Sequence, residues 1–364
     1  MTRFVRLALG LISGAVGLLL VLPLCIAGFP FWLVGVLTRK LAPVFDCRST
    51  GWEEAVQFHP VYGWTAKPHV DIHCKAAPEV NHFFHVTTDA DGWRGKGLIA
   101  NSDVLVFGDS FAWGHGIDDE EFFADLPSRI TIKSIGVSGY NMVQELMWMK
   151  EYSKHFQNKL IVWFIFDGND LYDNVVPNLY HYRMPFVRRV DSAREWEIVT
   201  SHLVKTDWPW NYERNYRERE KYLATYGRNV ISDRAYAACE FLIKEGSDLC
   251  ERSGGQLVIV SIPVVSRLTS NIWERKSCGL VPNEKLDPHA PDDRLKALCD
   301  KMGIPFTAAA TFLQADDHIP LEGHWNGKGH RRIAQMIEQL HGTYSQGKLF
   351  QYAADRAREA CNKY

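Results

Sequence analysis

Val104-Leu105-Val106-Phe107-Gly108-Asp109-Ser110-Phe111 is the stretch on which the reading of this chain turns. Four apolar residues in unbroken succession, with no polar alternation, describe a strand buried on both faces, as in a parallel sheet. Gly-Asp-Ser then supplies turn chemistry. A serine there sits on a strand-to-helix turn at the carboxyl edge of the sheet, where open α/β folds keep their sites.

The same rhythm recurs downstream. Ile130 to Ile135 reads as a second strand, followed by a helix from about Asn141 to His155. Leu160 to Phe166 is a third strand, residues 232–253 a helix, and Gln256 to Ile262 a fourth strand. Arg294 to Met302 is a helix, Ile304-Pro305-Phe306 a short fifth strand, and Gly327 to Leu340 a final helix. Strands alternating with helices predict a three-layer α/β/α sandwich around a mainly parallel five-stranded sheet. The domain spans residues 101–345, with residues 346–364 as a C-terminal helix. Residues 46–100 form a lead-in of short strands, with turns at His59-Pro60-Val61-Tyr62-Gly63-Trp64 and Asp91-Gly92-Trp93-Arg94-Gly95. Residues 172–230 break the rhythm: they are polar and aromatic, contain a hairpin (Phe186 to Val190, then Glu195 to Val199), and read as an insertion over the sheet edge.

The first 45 residues are of another kind. Leu7 to Leu37 carries no charged side chain, with Arg3 and Arg6 before it and Arg39 and Lys40 after it. As helix it would measure roughly 46 Å, more than the ~30 Å of a bilayer's hydrocarbon core. Pro23, Gly28 and Pro30 interrupt it, so a kinked, tilted and uncleaved transmembrane anchor is expected. The flanking basic residues balance and leave its orientation open.

Composition narrows the function. Of 364 residues, 46% are hydrophobic and 23% charged, as in ordinary globular chains, which excludes a largely disordered protein. A net charge of −2 without a basic stripe argues against a nucleic-acid partner. The eight cysteines show no zinc spacing. Cys47 and Cys74 could pair in an oxidising compartment, whereas Cys239 and Cys250 sit on one helix too far apart to bridge. A strand through His82-Phe83-Phe84-His85 sends its two histidines to opposite faces, so no metal and no cofactor are expected.

Four polar landmarks arrive in order at strand ends or helix starts: Ser110; Gly139, after Ile135-Gly136-Val137-Ser138; Asn169, in Asp167-Gly168-Asn169-Asp170; and His324, in Glu322-Gly323-His324-Trp325-Asn326. This series resembles the SGNH/GDSL hydrolase family over roughly residues 100–341, and the lead-in resembles the front part of its membrane-anchored or exported members. The resemblance implies a flavodoxin-like α/β fold and a serine that carries an acyl group. Ser110 is then the nucleophile and His324 its base, while Ser110 N–H, Gly139 N–H and the Asn169 amide hold the oxyanion. The family's usual Asp three residues before the histidine is here Leu321. Glu322 fits a variant with the acid two residues before it; Asp316, Asp317 or a backbone carbonyl are the alternatives. Trp113 and His115 are candidates for an acyl or sugar pocket, Asp109 and Asp170 for loop braces, and His330 for a structural place in the last helix behind an Asn326 cap.

The expectation is a serine esterase that removes a small acyl group, acetyl foremost, from a carbohydrate or lipid-linked substrate. Its alternatives are an O-acyltransferase acting on an envelope polysaccharide and a non-catalytic carbohydrate-binding module. By resemblance to exported members, the catalytic domain is expected on the extracytoplasmic (periplasmic) side, held to the membrane by residues 7–37.

Overall fold

The computed structural model describes residues 51–77, 80–176, 184–190, 195–200, 214–269, 273 and 285–361. The anchor expected at 1–45 and Cys47 lie outside the described residues. Among those described, no helix is long and apolar enough to cross a membrane.

The first described strands form two antiparallel hairpins: β1 (Val56–His59) with β2 (Gly63–Ala66), and β3 (Asp71–Ala77) with β4 (Val80–Thr87). The central strands follow as β5 (Val104–Gly108), β6 (Ile132–Gly136) and β7 (Leu160–Phe166). The hairpin β8 (Phe186–Arg189) and β9 (Trp196–Val199) comes next, then β10 (Gln256–Ile262), helix α6 (Ala290–Met302) and β11 (Phe306–Ala308). The five core strands are all parallel, in the order β11-β10-β7-β5-β6. The second strand begins two residues later than the sequence pattern placed it, and the fifth lies two residues later.

Successive side chains of a strand alternate between faces, and here both faces are apolar. Leu105 and Phe107 share one core with Ile161, Trp163, Leu257 and Ile259. Helices α2 (Met142–Tyr152) and α5 (Val230–Arg252) cover that core through Met142, Leu146, Met149, Leu242 and Ile243. Val104 and Val106 face the other way with Val162, Phe164, Val258 and Val260, under Ile333, Met336 and Ile337 of α7 (Gly327–Cys361). The uninterrupted apolar run is therefore the direct consequence of two covered faces. A sheet with a single covered face would have shown alternation.

The lead-in shares the first of these cores. Trp64, Cys74, Phe84, Val86 and Trp93 pack into it, and residues Thr50–Tyr364 form one compact unit. The last helix runs unbroken from Gly327 to Cys361, so the stretch expected as a separate C-terminal helix through residue 361 continues α7.

Candidate active site

Ser110 begins the one-turn helix α1 (Ser110–Trp113) directly after β5. Asp109 is its N-cap, and its Oδ1 accepts the Phe111 N–H at 3.0 Å, the loop-bracing role read from the sequence. Burial pushes the Asp109 carboxyl up to about 6, against the opposing pull of that hydrogen bond and of His324. Gly136, on β6, lies close to this turn: a Cβ there would fall 2.5 Å from the Gly108 carbonyl oxygen, so only glycine lets the two strand ends approach so closely.

His324 reaches the serine from a tight loop. Ile319 N–H donates to the His324 carbonyl at 2.8 Å, and the N–H groups of Glu322 and Gly323 both donate to Ile319 O. Within this loop the chain turns at Gly323, whose φ of +104° lies in a region that side chains disfavour. Glu322 is folded back onto His324. Its Oε2 accepts the His324 backbone N–H at 2.7 Å and its Oε1 lies 2.5 Å from Nδ1. With Nδ1 protonated toward the acid, Nε2 is the acceptor for the Ser110 hydroxyl, 2.7 Å away. Burial alone would raise the Glu322 carboxyl, but His324 outweighs it through charge and hydrogen bonds and holds the group at about 2. The acid is therefore ionised across the physiological range.

The alternatives for the acid are engaged elsewhere. Asp317 is fully buried, accepts the Gln314 N–H and pairs with Arg332 Nε at 2.9 Å. Asp316 pairs with Lys328 at 2.6 Å. Leu321, at the position where the resemblance led to expect Asp, is 97% exposed with φ +68°. A side chain there points to solvent, which explains how the position can be apolar.

Gly139 (φ +81°) and Asn169 line the same cavity as Ser110. Asn169 is the N-cap of α3 (Asp170–Asp173). Its Nδ2 donates to Tyr140 O at 3.1 Å and to Asp170 Oδ1 at 3.0 Å, so donating to a substrate oxygen requires it to share or exchange one of those bonds. Asp170 also accepts the Phe166 N–H. Burial and the neighbouring carboxyls Glu145 and Asp109 raise the Asp170 carboxyl well above the usual range. Glu145, which accepts from Trp163 Nε1 at 2.6 Å, is raised for the same reasons, with burial the larger. A layer of buried acids, each held above the ordinary carboxylate range, thus lies beneath the site, and no sequence motif announced it.

Trp113 and His115 do not line the cavity, contrary to their assignment as pocket residues. Trp113 is buried in the hydrophobic core, and His115 is buried against Trp113, Phe84 and the back of His324. One turn of helix after the serine carries the chain inward. His115 Nε2–H donates to Ala76 O at 2.7 Å, and burial pushes its ring down to about 4, so it is neutral. His115, Glu322 and His324 bring three potential metal-donor atoms within 4.8 Å. Glu322 and His324 are hydrogen-bonded to each other, and His115 to Ala76 O. His330 accepts the Phe123 N–H at 3.2 Å within the second core, and Asn326 Oδ1 caps α7 at the N–H groups of Lys328 and Gly329. His82 and His85 go to separate partners, Gly116 O and Asp71.

Two contributors escaped the sequence reading. Helix α4 (Arg214–Tyr226), the end of the inserted segment, places Lys221 and Tyr222 in the cavity wall beside Asp173, Phe166 and Val264. Arg94, read only as part of a turn, is buried and ties the loop after α1 together. It donates to the carbonyls of Trp113, Gly114 and Ile117 and pairs with Asp119 at 2.6 Å. The cavity that α4 helps to enclose measures about 260 Å³.

The fold and this constellation define a three-layer α/β protein with a Ser-His-Glu hydrogen-bonded chain at the carboxyl edge of its sheet. No family model and no curated protein sequence matches the chain. Among solved structures it is similar to the carbohydrate acetylesterase Est24 from Sinorhizobium meliloti, with 13% identity, 66% of this chain and 98% of that one covered, and a TM-score of 0.38. It is likewise similar to a GDSL-like lipase from Bacteroides thetaiotaomicron (11% identity, 68% and 92% covered, TM-score 0.35). A third is the acetylxylan esterase Axe2 from Geobacillus stearothermophilus (11%, 67% and 95%, TM-score 0.35). At such distances no residue role passes from them to this chain.

Proposed function

We propose that this chain is a serine esterase of SGNH/GDSL type that hydrolyses a small acyl ester through an acyl-serine intermediate. The observation that carries the reading is the continuous chain Ser110 Oγ to His324 Nε2 (2.7 Å) and His324 Nδ1 to Glu322 Oε1 (2.5 Å), opening on a cavity. A serine hydroxyl is a poor nucleophile until a base near neutral pKa takes its proton. In this reading Ser110 Oγ attacks the ester carbonyl while its proton passes to His324 Nε2, and Glu322 stabilises the imidazolium. The carbonyl oxygen becomes an oxyanion held by Ser110 N–H, Gly139 N–H and the Asn169 amide. Collapse breaks the C–O bond to the alcohol, which leaves with the proton from His324. Water, deprotonated by the same histidine, then releases the acid and restores Ser110.

The small cavity favours a short acyl group such as acetyl, and its mixed polar and apolar wall favours a carbohydrate-like alcohol. Residues 7–37 are proposed to hold the catalytic domain at a membrane, on its extracytoplasmic side; a C-terminal reporter active only in the cytoplasm would contradict this. The activity itself is tested with a panel of p-nitrophenyl esters of two to eight acyl carbons. Turnover falling with chain length, and lost in His324→Ala, supports the reading. Equal turnover by the His324→Ala variant overturns it.

A further inference from the structure

We propose that Lys221 and Asp173 form the alcohol side of this cavity and select a neutral, hydroxyl-rich alcohol, a sugar or similar polyol; the inference rests on the esterase reading. Helix α4 stands outside the alternating strands and packs against α3 and α5. Through Lys221 and Tyr222 it nonetheless completes the wall that Ser110, Asn169 and His324 share.

Lys221 Nζ donates to Asp173 Oδ2 at 2.9 Å, with only 16% and 3% of the two side chains exposed. An ammonium carries three donors and a carboxylate about four acceptor positions, and both groups line the cavity. What the pair presents to the cavity is a donor beside an acceptor. That matches a hydroxyl group, which does both, and matches two adjacent hydroxyls better still.

Charge narrows the class. Among the described residues of the lining Lys221 is the one lysine or arginine, and Asp173 pairs with it. Of the other acids in the lining, Glu322 belongs to His324 and Asp109 to the turn at Ser110. An alcohol bearing phosphate or carboxylate would meet no uncompensated cation there. A wholly apolar alcohol would cover the pair without replacing its water, which costs free energy. A neutral polyol avoids both penalties, while the Tyr222 and Phe166 rings offer apolar surface to the C–H face of a sugar. Sites built to hydrogen-bond a hydroxyl discriminate strongly against analogues lacking it.

The test uses the full chain and three substrates: a mono-O-acetylated methyl glucoside, its 6-phosphate analogue, and p-nitrophenyl acetate. The kcat/KM ratio of glucoside to aryl ester should fall at least about ten-fold in Lys221→Met, mainly through KM, and stay within about three-fold in Lys221→Arg, which keeps donors and charge. Melting temperatures report whether each variant folds. Should Lys221→Met not fold, the wild type still decides: methyl glucoside should inhibit aryl-ester hydrolysis competitively, and more strongly than cyclohexanol. An unchanged ratio, equal loss on both esters, preference for the phosphate analogue, or inhibition no better than by cyclohexanol overturns the proposal while leaving the esterase reading intact. Failure of the wild type on all three esters overturns both.

Discussion

Glu322 binds His324 at two points although only Gly323 separates them: Oε2 accepts the backbone N–H at 2.7 Å and Oε1 meets Nδ1 at 2.5 Å. A residue two positions away can do this because glutamate is one methylene longer than aspartate and because Gly323 adopts a φ of +104°. The acid and the base it orients are thus one local unit, delivered to Ser110 as a piece.

Replacing Glu322 by Gln keeps an acceptor for the backbone N–H but removes the charge that supports the imidazolium. Glu322→Gln should lower kcat by about 10³–10⁴. Asp317→Asn disturbs the Arg332 pair and should cost stability while leaving kcat within a few-fold of wild type. Steady-state kinetics at saturating ester compare the two, and the reverse order would make Glu322 a bystander.

Asp109 imposes a pH dependence on stability. Its carboxyl is raised from 3.8 to about 6 in the fold because burial disfavours the anion. The folded state therefore binds a proton that the unfolded chain gives up, and stability is lost as pH rises from about 4 to 6. Asp109→Asn keeps an oxygen for the Phe111 N–H and has no proton to lose. The difference in melting temperature, variant minus wild type, should grow across that interval; a constant difference contradicts the assignment.

Asn169 is asked to hold charge only when an oxyanion forms. Asn169→Ala should reduce kcat by about 10²–10³ with KM little changed. Rapid-quench measurement of acyl-enzyme formation locates the loss in the acylation step. A loss confined to KM would place Asn169 in ground-state binding instead.

Arg94 is buried with Asp119 and holds three carbonyls of the 113–117 loop. Arg94→Met leaves Asp119 without its cation and should destabilise the fold by about 3–5 kcal/mol, read from urea unfolding. A change under about 1 kcal/mol would show that the loop is held by other means.

The layers were legible because their cause is local: a strand covered on both faces must be apolar throughout, as Val104–Phe107 and Leu160–Phe166 are. Ser110, Gly139, Asn169 and His324 were legible because sheet topology brings strand ends together, so order along the chain implies proximity. Glu322 could be weighed against its rivals because Gly323 signalled the bend. Lys221 and Asp173 were not legible, since α4 meets α3 through packing between segments some fifty residues apart, and no period or motif encodes that. Trp113 and His115 were misplaced for a related reason: after one helical turn the chain enters the core, a direction set by the partners Phe84 and Ala76 of the lead-in. Arg94 looked like a turn residue because its partners, Trp113 to Asp119, lie twenty residues on.

The central claim is that Ser110 is an activated nucleophile. Intact-mass spectrometry after incubation with a fluorophosphonate, followed by peptide mapping, tests it most directly. One adduct, on Ser110, absent in Ser110→Ala and strongly slowed in Glu322→Gln, is the predicted result. An unlabelled wild type, or an adduct that persists in Ser110→Ala, would contradict the account.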